Sequence, residues 1–130
     1  SSKDTGALVV EGGLGVEGNI HSGGDIVAFS SSDVTLKKDI TPIENALEMI
    51  NKISGNTFTW NTGIQHLIPY ENGTKDTGIL AQEVEALGLP GVTTTRGDGV
   101  KAVRYERLIP VLIEAVKELT AKVKSLESNK

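Results

Sequence analysis

Ser31-Ser32-Asp33-Val34-Thr35-Leu36-Lys37-Lys38-Asp39-Ile40 divides this 130-residue chain into two unlike parts. Before it the sequence is glycine-rich and lacks helical periodicity. After it come apolar helical spacings, β-type runs and a long C-terminal heptad pattern. The fold class expected is α+β. A short fibre-like β segment over residues 1–31 leads into a mixed helix and strand domain over 32–130, closed by a coiled-coil helix from about 103.

Working outward, the composition narrows the function. Hydrophobic residues make up 38% and aromatic residues 4%, so any core is aliphatic and modest, and oligomerisation is a natural way to bury more surface. The net charge of −4 argues against nucleic acid or an anionic membrane as partner. No stretch has the apolar length of a membrane span, and no secretory signal is read. Cys is absent, which excludes disulfides and thiolate metal sites. His21 and His66 stand far apart in unlike contexts, so neither a metal nor a cofactor is expected.

In the leader, the short β-branched pieces Leu8-Val9-Val10 and Ile26-Val27 alternate with glycine turns, and Val16 and Ile20 continue the apolar positions between them. That is a strand–turn pattern whose strands are too short for a free-standing sheet. Stacking with copies from other chains is the expectation, and the segment resembles the shaft repeats of viral tail fibres, which trimerise into intertwined β structure. Gly13-Leu14-Gly15-Val16-Glu17-Gly18 spells the G-x-G-x-x-G dinucleotide fingerprint. The fingerprint works only where a strand ends and a helix begins. Asn19-Ile20-His21-Ser22-Gly23-Gly24 does not open a helix, so these glycines read as turn residues.

Beyond the junction, Thr41-Pro42-Ile43-Glu44 has the form of a helix start, with Thr41 as N-cap, Pro42 at the first position and Glu44 completing a capping box. The helix is expected to run to Ile53 with Ile43, Leu47, Ile50 and Ile53 on one face. Thr57-Phe58-Thr59-Trp60 reads as a strand. Asn72-Gly73 favours a two-residue hairpin. Asn72-Gly73-Thr74 also spells a glycosylation acceptor, discounted without a secretory signal. A short helix is expected from about Ala81, ended by Gly88. Val92-Thr95 and Val100-Val103 flank Arg96-Gly97-Asp98-Gly99, which predicts a hairpin in which Arg-Gly-Asp is a plain β-turn.

At the C-terminus, Ala102, Ile109, Val116 and Val123 recur every seven residues, and Tyr105, Leu112, Leu119 and Leu126 form a second such series. Their 3,4 alternation predicts a coiled-coil seam with Lys122 and Glu127 placed for an interchain ion pair. The plainer alternative is an amphipathic helix packed on its own domain. Pro110 is tolerable only near the helix start. β-branched residues in one series with leucines in the other lean towards a dimer, whereas the leader points to a trimer.

Ser32 and Lys37 stand five apart at the junction. A serine hydroxyl needs a base to become a nucleophile, and a lysine serves if burial favours its neutral form. The spacing alone carries little, since Lys and Arg are 13 of 130 residues. Its surroundings carry more. Ser32-Asp33, Leu36-Lys37, Ile40, Pro42-Ile43, Phe58 and Trp60, Gly78-Ile79-Leu80-Ala81-Gln82-Glu83-Val84, Val103, Tyr105, Leu108-Ile109-Pro110-Val111-Leu112 and Ala115-Val116-Lys117-Glu118-Leu119 follow one another in order. This resembles the C-terminal intramolecular chaperone domain of phage tail fibres, tail spikes and neck appendages, a family of self-cleaving serine peptidases.

The resemblance covers residues 32 to about 120. It implies an intertwined homotrimer that folds the fibre upstream of it and then releases itself. Carried over, the scissile bond is Ser31–Ser32, Ser32 is the nucleophile and Lys37 the general base. Asp33 orients the pair, while Gln82 and Glu83 match a second motif with no role assigned. The trimer seam is Ile109, Leu112, Val116, Leu119, Val123 and Leu126. The partners implied are two further copies and the upstream fibre. The setting implied is the virion tail, with folding in the bacterial host cytoplasm. The competing expectation is a non-catalytic fibre-tip trimerisation or host receptor-binding module.

Overall fold

The computed structural model describes residues 5–129, and the remaining parts of the expected segments, residues 1–4 and 130, lie outside it. The chain divides into two units between Asp33 and Val34.

Residues 5–33 are exposed throughout and contain no strand. The expected strands are absent from the single chain because a backbone this short, with its apolar side chains bare, has no ladder to join. Ser22 forms a local turn, its Oγ donating to the Gly24 carbonyl at 2.7 Å. No helix follows Gly18, which agrees with the turn reading of the glycines.

The second unit opens with a single 3-10 turn, Val34–Leu36, closed by the Lys37 N–H donating to the Val34 carbonyl. The first α-helix, α1, is Ala46–Ile50. This corrects the expected start. Thr41 is not the N-cap: its Oγ1 donates to the Asp39 carbonyl at 3.4 Å. The residue before the helix is Asn45, held left-handed at φ 57°, a conformation asparagine tolerates better than most residues. That turn separates Thr41-Pro42-Ile43-Glu44 from the helix, so neither Pro42 nor Glu44 takes its expected capping position. Single turns carry the winding on to Ile53. The expected apolar face is present: Ile43, Leu47, Ile50 and Ile53 all pack on the core, around a fully buried Ala46.

Strands β1, Asn56–Thr59, and β2, Lys75–Gly78, pair antiparallel with Phe58 opposite Asp76. The expected two-residue hairpin at Asn72-Gly73 is corrected here. Those residues make a turn, with Gly73 at φ 78° and Thr74 N–H donating to Glu71, immediately before β2. The strand paired with β2 lies on the far side of a long loop, because Phe58 and Trp60 supply the packing that decides its register. Trp60 stacks on Tyr70 at 5.0 Å, meets Phe58 edge-on, and donates through Nε1 to Asp76 at 3.2 Å.

Helix α2, Ala81–Glu85, begins where expected, and Gly88 at φ 72° ends its last turn. Strands β3, Thr93–Thr95, and β4, Lys101–Val103, form the expected hairpin with Thr94 opposite Ala102. The turn is closed by Gly99 N–H donating to Arg96. A 3-10 turn at Tyr105–Leu108 then feeds the long helix α3, Ile109–Ser128, with Pro110 in its first turn, where no intrahelical donor is lost.

The core is six aliphatic side chains, Ala46, Val84, Val92, Leu108, Val111 and Ala115, drawn from all three α-helices, the 3-10 turn before α3 and the approach to β3. Leu108 of that 3-10 turn and Val111 and Ala115 of α3 form one inward row, which is not the heptad seam. No helix among the described residues is long and apolar enough to cross a membrane.

Candidate functional site

The junction residues occupy the boundary between the two units. Ser31, Ser32 and Asp33 close the first, and Lys37 follows the opening 3-10 turn of the second. All four are exposed, as are the apolar side chains around them, Phe29, Val34, Leu36 and Ile40. Asp39, two residues past Lys37, is held left-handed at φ 54°. Such a residue away from glycine costs on the order of 1 kcal/mol. The local chain around Lys37 is therefore a tight turn followed by a strained residue.

The second motif has a definite place. Glu83 on α2 receives the Ser54 N–H at 2.8 Å and the Ser54 hydroxyl at 2.9 Å, both at Oε2. Asn56 Nδ2 donates to Ser54 Oγ at 2.9 Å, which orients the hydroxyl. Glu83 thus clasps the turn that leaves α1 and enters β1. Gln82 is exposed and its backbone carbonyl serves the end of α2.

Helix α1 is also held at its other end. The Leu47 N–H, in the first turn where no intrahelical acceptor exists, donates to Glu118 Oε2 of α3 at 2.9 Å. Sequence reasoning missed Glu118 as a cap because it looked for one in the adjacent residues. A signal was available: Glu118 continues the inward row Leu108, Val111, Ala115 at helical spacing, and an acid on such a row has to meet a donor.

Tyr105 is the second residue overlooked. Its Oη accepts the Ile79 N–H at 3.0 Å, and a Cβ on Gly78 would lie 2.6 Å from that oxygen. Gly78 is glycine because the tyrosine hydroxyl passes there. Arg96 ties the β3–β4 turn to the loop between β1 and β2, donating to the Leu67 carbonyl at 2.8 Å while pairing with Asp98 at 2.9 Å. The Arg-Gly-Asp side chains are therefore occupied with each other and with the loop. The Val100 N–H, helped by the Arg96 guanidinium, holds the Asp98 carboxyl below its ordinary value of 3.8.

The expected seam residues Ile109, Leu112, Val116, Leu119, Val123 and Leu126 lie 46–68% exposed, outside the core row. Helix α3 thus has two apolar faces, and its own domain covers one.

The comparisons with known proteins fall on this arrangement. Residues 32–94 match the model of the family described as chaperone of endosialidase, and the match begins at Ser32. Over these residues the chain is similar to the chaperone of endosialidase family. The long tail fiber protein Gp37 of Enterobacteria phage K3 is 34% identical over 103 residues, 77% of this chain and 8% of that protein. The long tail fiber protein Gp37 of Escherichia phage AR1 is 32% identical over 128 residues, 88% of this chain and 11% of that protein. The chain spans about a tenth of the length of these curated relatives. The matched residues 32–94 include Ser32 and Lys37, α1, β1, β2 and α2 with its Glu83 clasp, while α3 follows them.

Proposed function

We propose that residues 32–130 are the C-terminal intramolecular chaperone of a phage tail fibre protein, which trimerises the chain and then cuts itself free between Ser31 and Ser32. The observation that carries this reading is the start of the family match at Ser32, where the glycine-rich leader gives way to the folded unit. On this reading residues 1–31 are the end of the fibre shaft, continuous with an upstream fibre region. That the relatives are long tail fiber proteins supports a place in the virion tail; on this reading assembly takes place in the host cytoplasm.

Self-association has physical support. On α3, Ile113 is exposed beside the seam. An apolar strip wider than the two seam positions suits more than one neighbouring helix. That favours three strands where the seam composition alone leaned towards two.

In the proposed reaction Lys37 takes the proton from Ser32 Oγ, which attacks the Ser31 carbonyl carbon. The Ser31–Ser32 amide bond breaks, its nitrogen leaves protonated as the new N-terminus, and an ester joins Ser31 to Ser32 Oγ. Water hydrolyses the ester, returning the hydroxyl and leaving a Ser31 carboxylate. Asp33 orients the pair. Since burial disfavours a charged lysine and the junction is exposed in one chain, assembly of the copies is the natural trigger. Loss of the clamp after folding leaves the shaft without its route back, a kinetic trap.

Mass spectrometry with sedimentation tests this. The unmodified chain is expected to split after Ser31, and Ser32→Ala and Lys37→Ala to stay whole while remaining trimeric. An unmodified chain that stays whole as a folded trimer overturns self-cleavage and favours the non-catalytic fibre-tip module, to which the relatives' non-enzymatic names also point.

A further inference from the structure

Among the described residues other than glycine, only Asp39 and Asn45 have positive φ, at 54° and 57°. A side chain crowds the backbone in that region, so each position calls for a reason. Asn45 has one in its packing. It turns the chain into α1 immediately before Ala46, which is fully buried, and Glu118 of α3 holds the first turn through the Leu47 N–H. Asp39 has no such surroundings. It lies in the run 34–42, exposed at every position, and Ile40 after it is 64% exposed. The Thr41 hydroxyl reaches its carbonyl only at 3.4 Å. The core therefore does not impose the left-handed turn at Asp39.

What the turn does follows from its place in the chain. Ile43 packs on the core, so the backbone is anchored from there onward. On the other side Lys37 closes the 3-10 turn Val34–Leu36, its N–H donating to the Val34 carbonyl at 3.1 Å. Asp39 is the joint between that hydrogen-bonded turn and the anchored chain. Returning its φ from 54° to the ordinary range rotates the joint by about 110° or more. Lys37 stands only two residues from the joint, so its turn swings to a different place. A general base has to lie within hydrogen-bond reach of the proton it takes. A misplacement of about 1 Å is enough to cost on the order of a hundredfold in rate.

We propose that Asp39 is a positioning residue for self-cleavage: its left-handed backbone, and not its carboxylate, carries Lys37 to where it can deprotonate Ser32. This rests on the Ser32–Lys37 reading above and adds a residue to which that reading gives no role.

The test compares the whole chain with Asp39→Gly, Asp39→Asn, Asp39→Ala and Asp39→Val. Mass spectrometry follows cleavage after Ser31 against time, and sedimentation follows assembly. Glycine adopts positive φ freely and asparagine tolerates it, whereas alanine resists it and a β-branched residue resists it more. Asp39→Gly and Asp39→Asn should cut within about twofold of the parent rate. Asp39→Ala should be slower by about threefold or more, and Asp39→Val by about tenfold or more, as the competent conformation becomes rarer. All four should assemble like the parent, since the position is exposed. Should Asp39→Val fail to assemble, the glycine and alanine variants still decide the matter, because they differ by one methyl group and by their tolerance of positive φ. Equal rates for those two overturn the proposal. So does an Asp39→Asn chain as slow as Asp39→Ala, which would give the role to the carboxylate. Either result leaves the Ser32–Lys37 reading standing, whereas a parent that assembles and does not cut overturns both.

Discussion

The Glu118 carboxylate on α3 caps α1 by accepting the Leu47 N–H at 2.9 Å, across 71 residues of sequence. A five-residue helix has little stability of its own, so this bond and the Glu83 clasp on Ser54 decide where α1 begins and how it leaves for β1. Glu118→Ala leaves a part-buried donor unsatisfied. It should lower stability by about 1–2 kcal/mol in urea unfolding, and Glu118→Gln, which keeps an acceptor oxygen, should lose less.

Gly78 and Tyr105 form a second such pair. Gly78→Ala puts a methyl 2.6 Å from the tyrosine hydroxyl, an overpacking expected to cost on the order of 1–3 kcal/mol. Tyr105→Phe removes the oxygen that clashes but also the acceptor for Ile79. The double variant should therefore be less destabilised than the sum of the singles, by about 0.5 kcal/mol or more in a double-mutant cycle. Additive effects would show that the two residues do not share this contact.

The two faces of α3 should respond differently to the same charge. Val111 is fully buried, and Val111→Asp should cost about 3 kcal/mol or more, or prevent folding, because the carboxylate has no partner there. Leu119→Asp changes an exposed side chain. Its circular dichroism should stay close to the parent's while sedimentation shifts towards monomer. A Leu119→Asp chain as fully assembled as the parent would remove α3 from the interface.

Asp98 gives the hairpin an acid limit. Its folded carboxyl titrates below 3.8, held down first by the Val100 N–H and then by Arg96. A depressed folded value stabilises above the unfolded value and is lost as pH falls through the folded one. The β3–β4 turn should thus be insensitive to pH near neutrality and loosen only below about pH 4. An NMR titration of Asp98 should place its midpoint under 3.8, and Asp98→Asn should abolish the acid dependence of the Val100 amide.

What could be read from the sequence follows the range of the forces involved. Gly88, the Arg96-Gly97-Asp98-Gly99 turn and the Pro110 helix start were legible because each depends on the backbone preferences of the residue in place. The order of motifs from Ser32 onward was enough for the family. The start of α1 was not legible: Thr41-Pro42-Ile43-Glu44 is a sound local cap, and a carboxylate from α3 with a left-handed Asn45 displaced it. Nor was the partner of β2, which aromatic packing around Trp60 selected across the loop.

The opening contrast at Ser31–Ile40, glycine repeats before and helical spacing after, was settled by composition and periodicity, properties the chain has before it folds. The tertiary structure decided which apolar row of α3 goes inward. Val111 and Ala115, with Leu108 just before the helix, join the core that holds Ala46, and the heptad row is left bare. Helical spacing gives both rows the same claim to burial, and only the shape of the neighbouring helix distinguishes them.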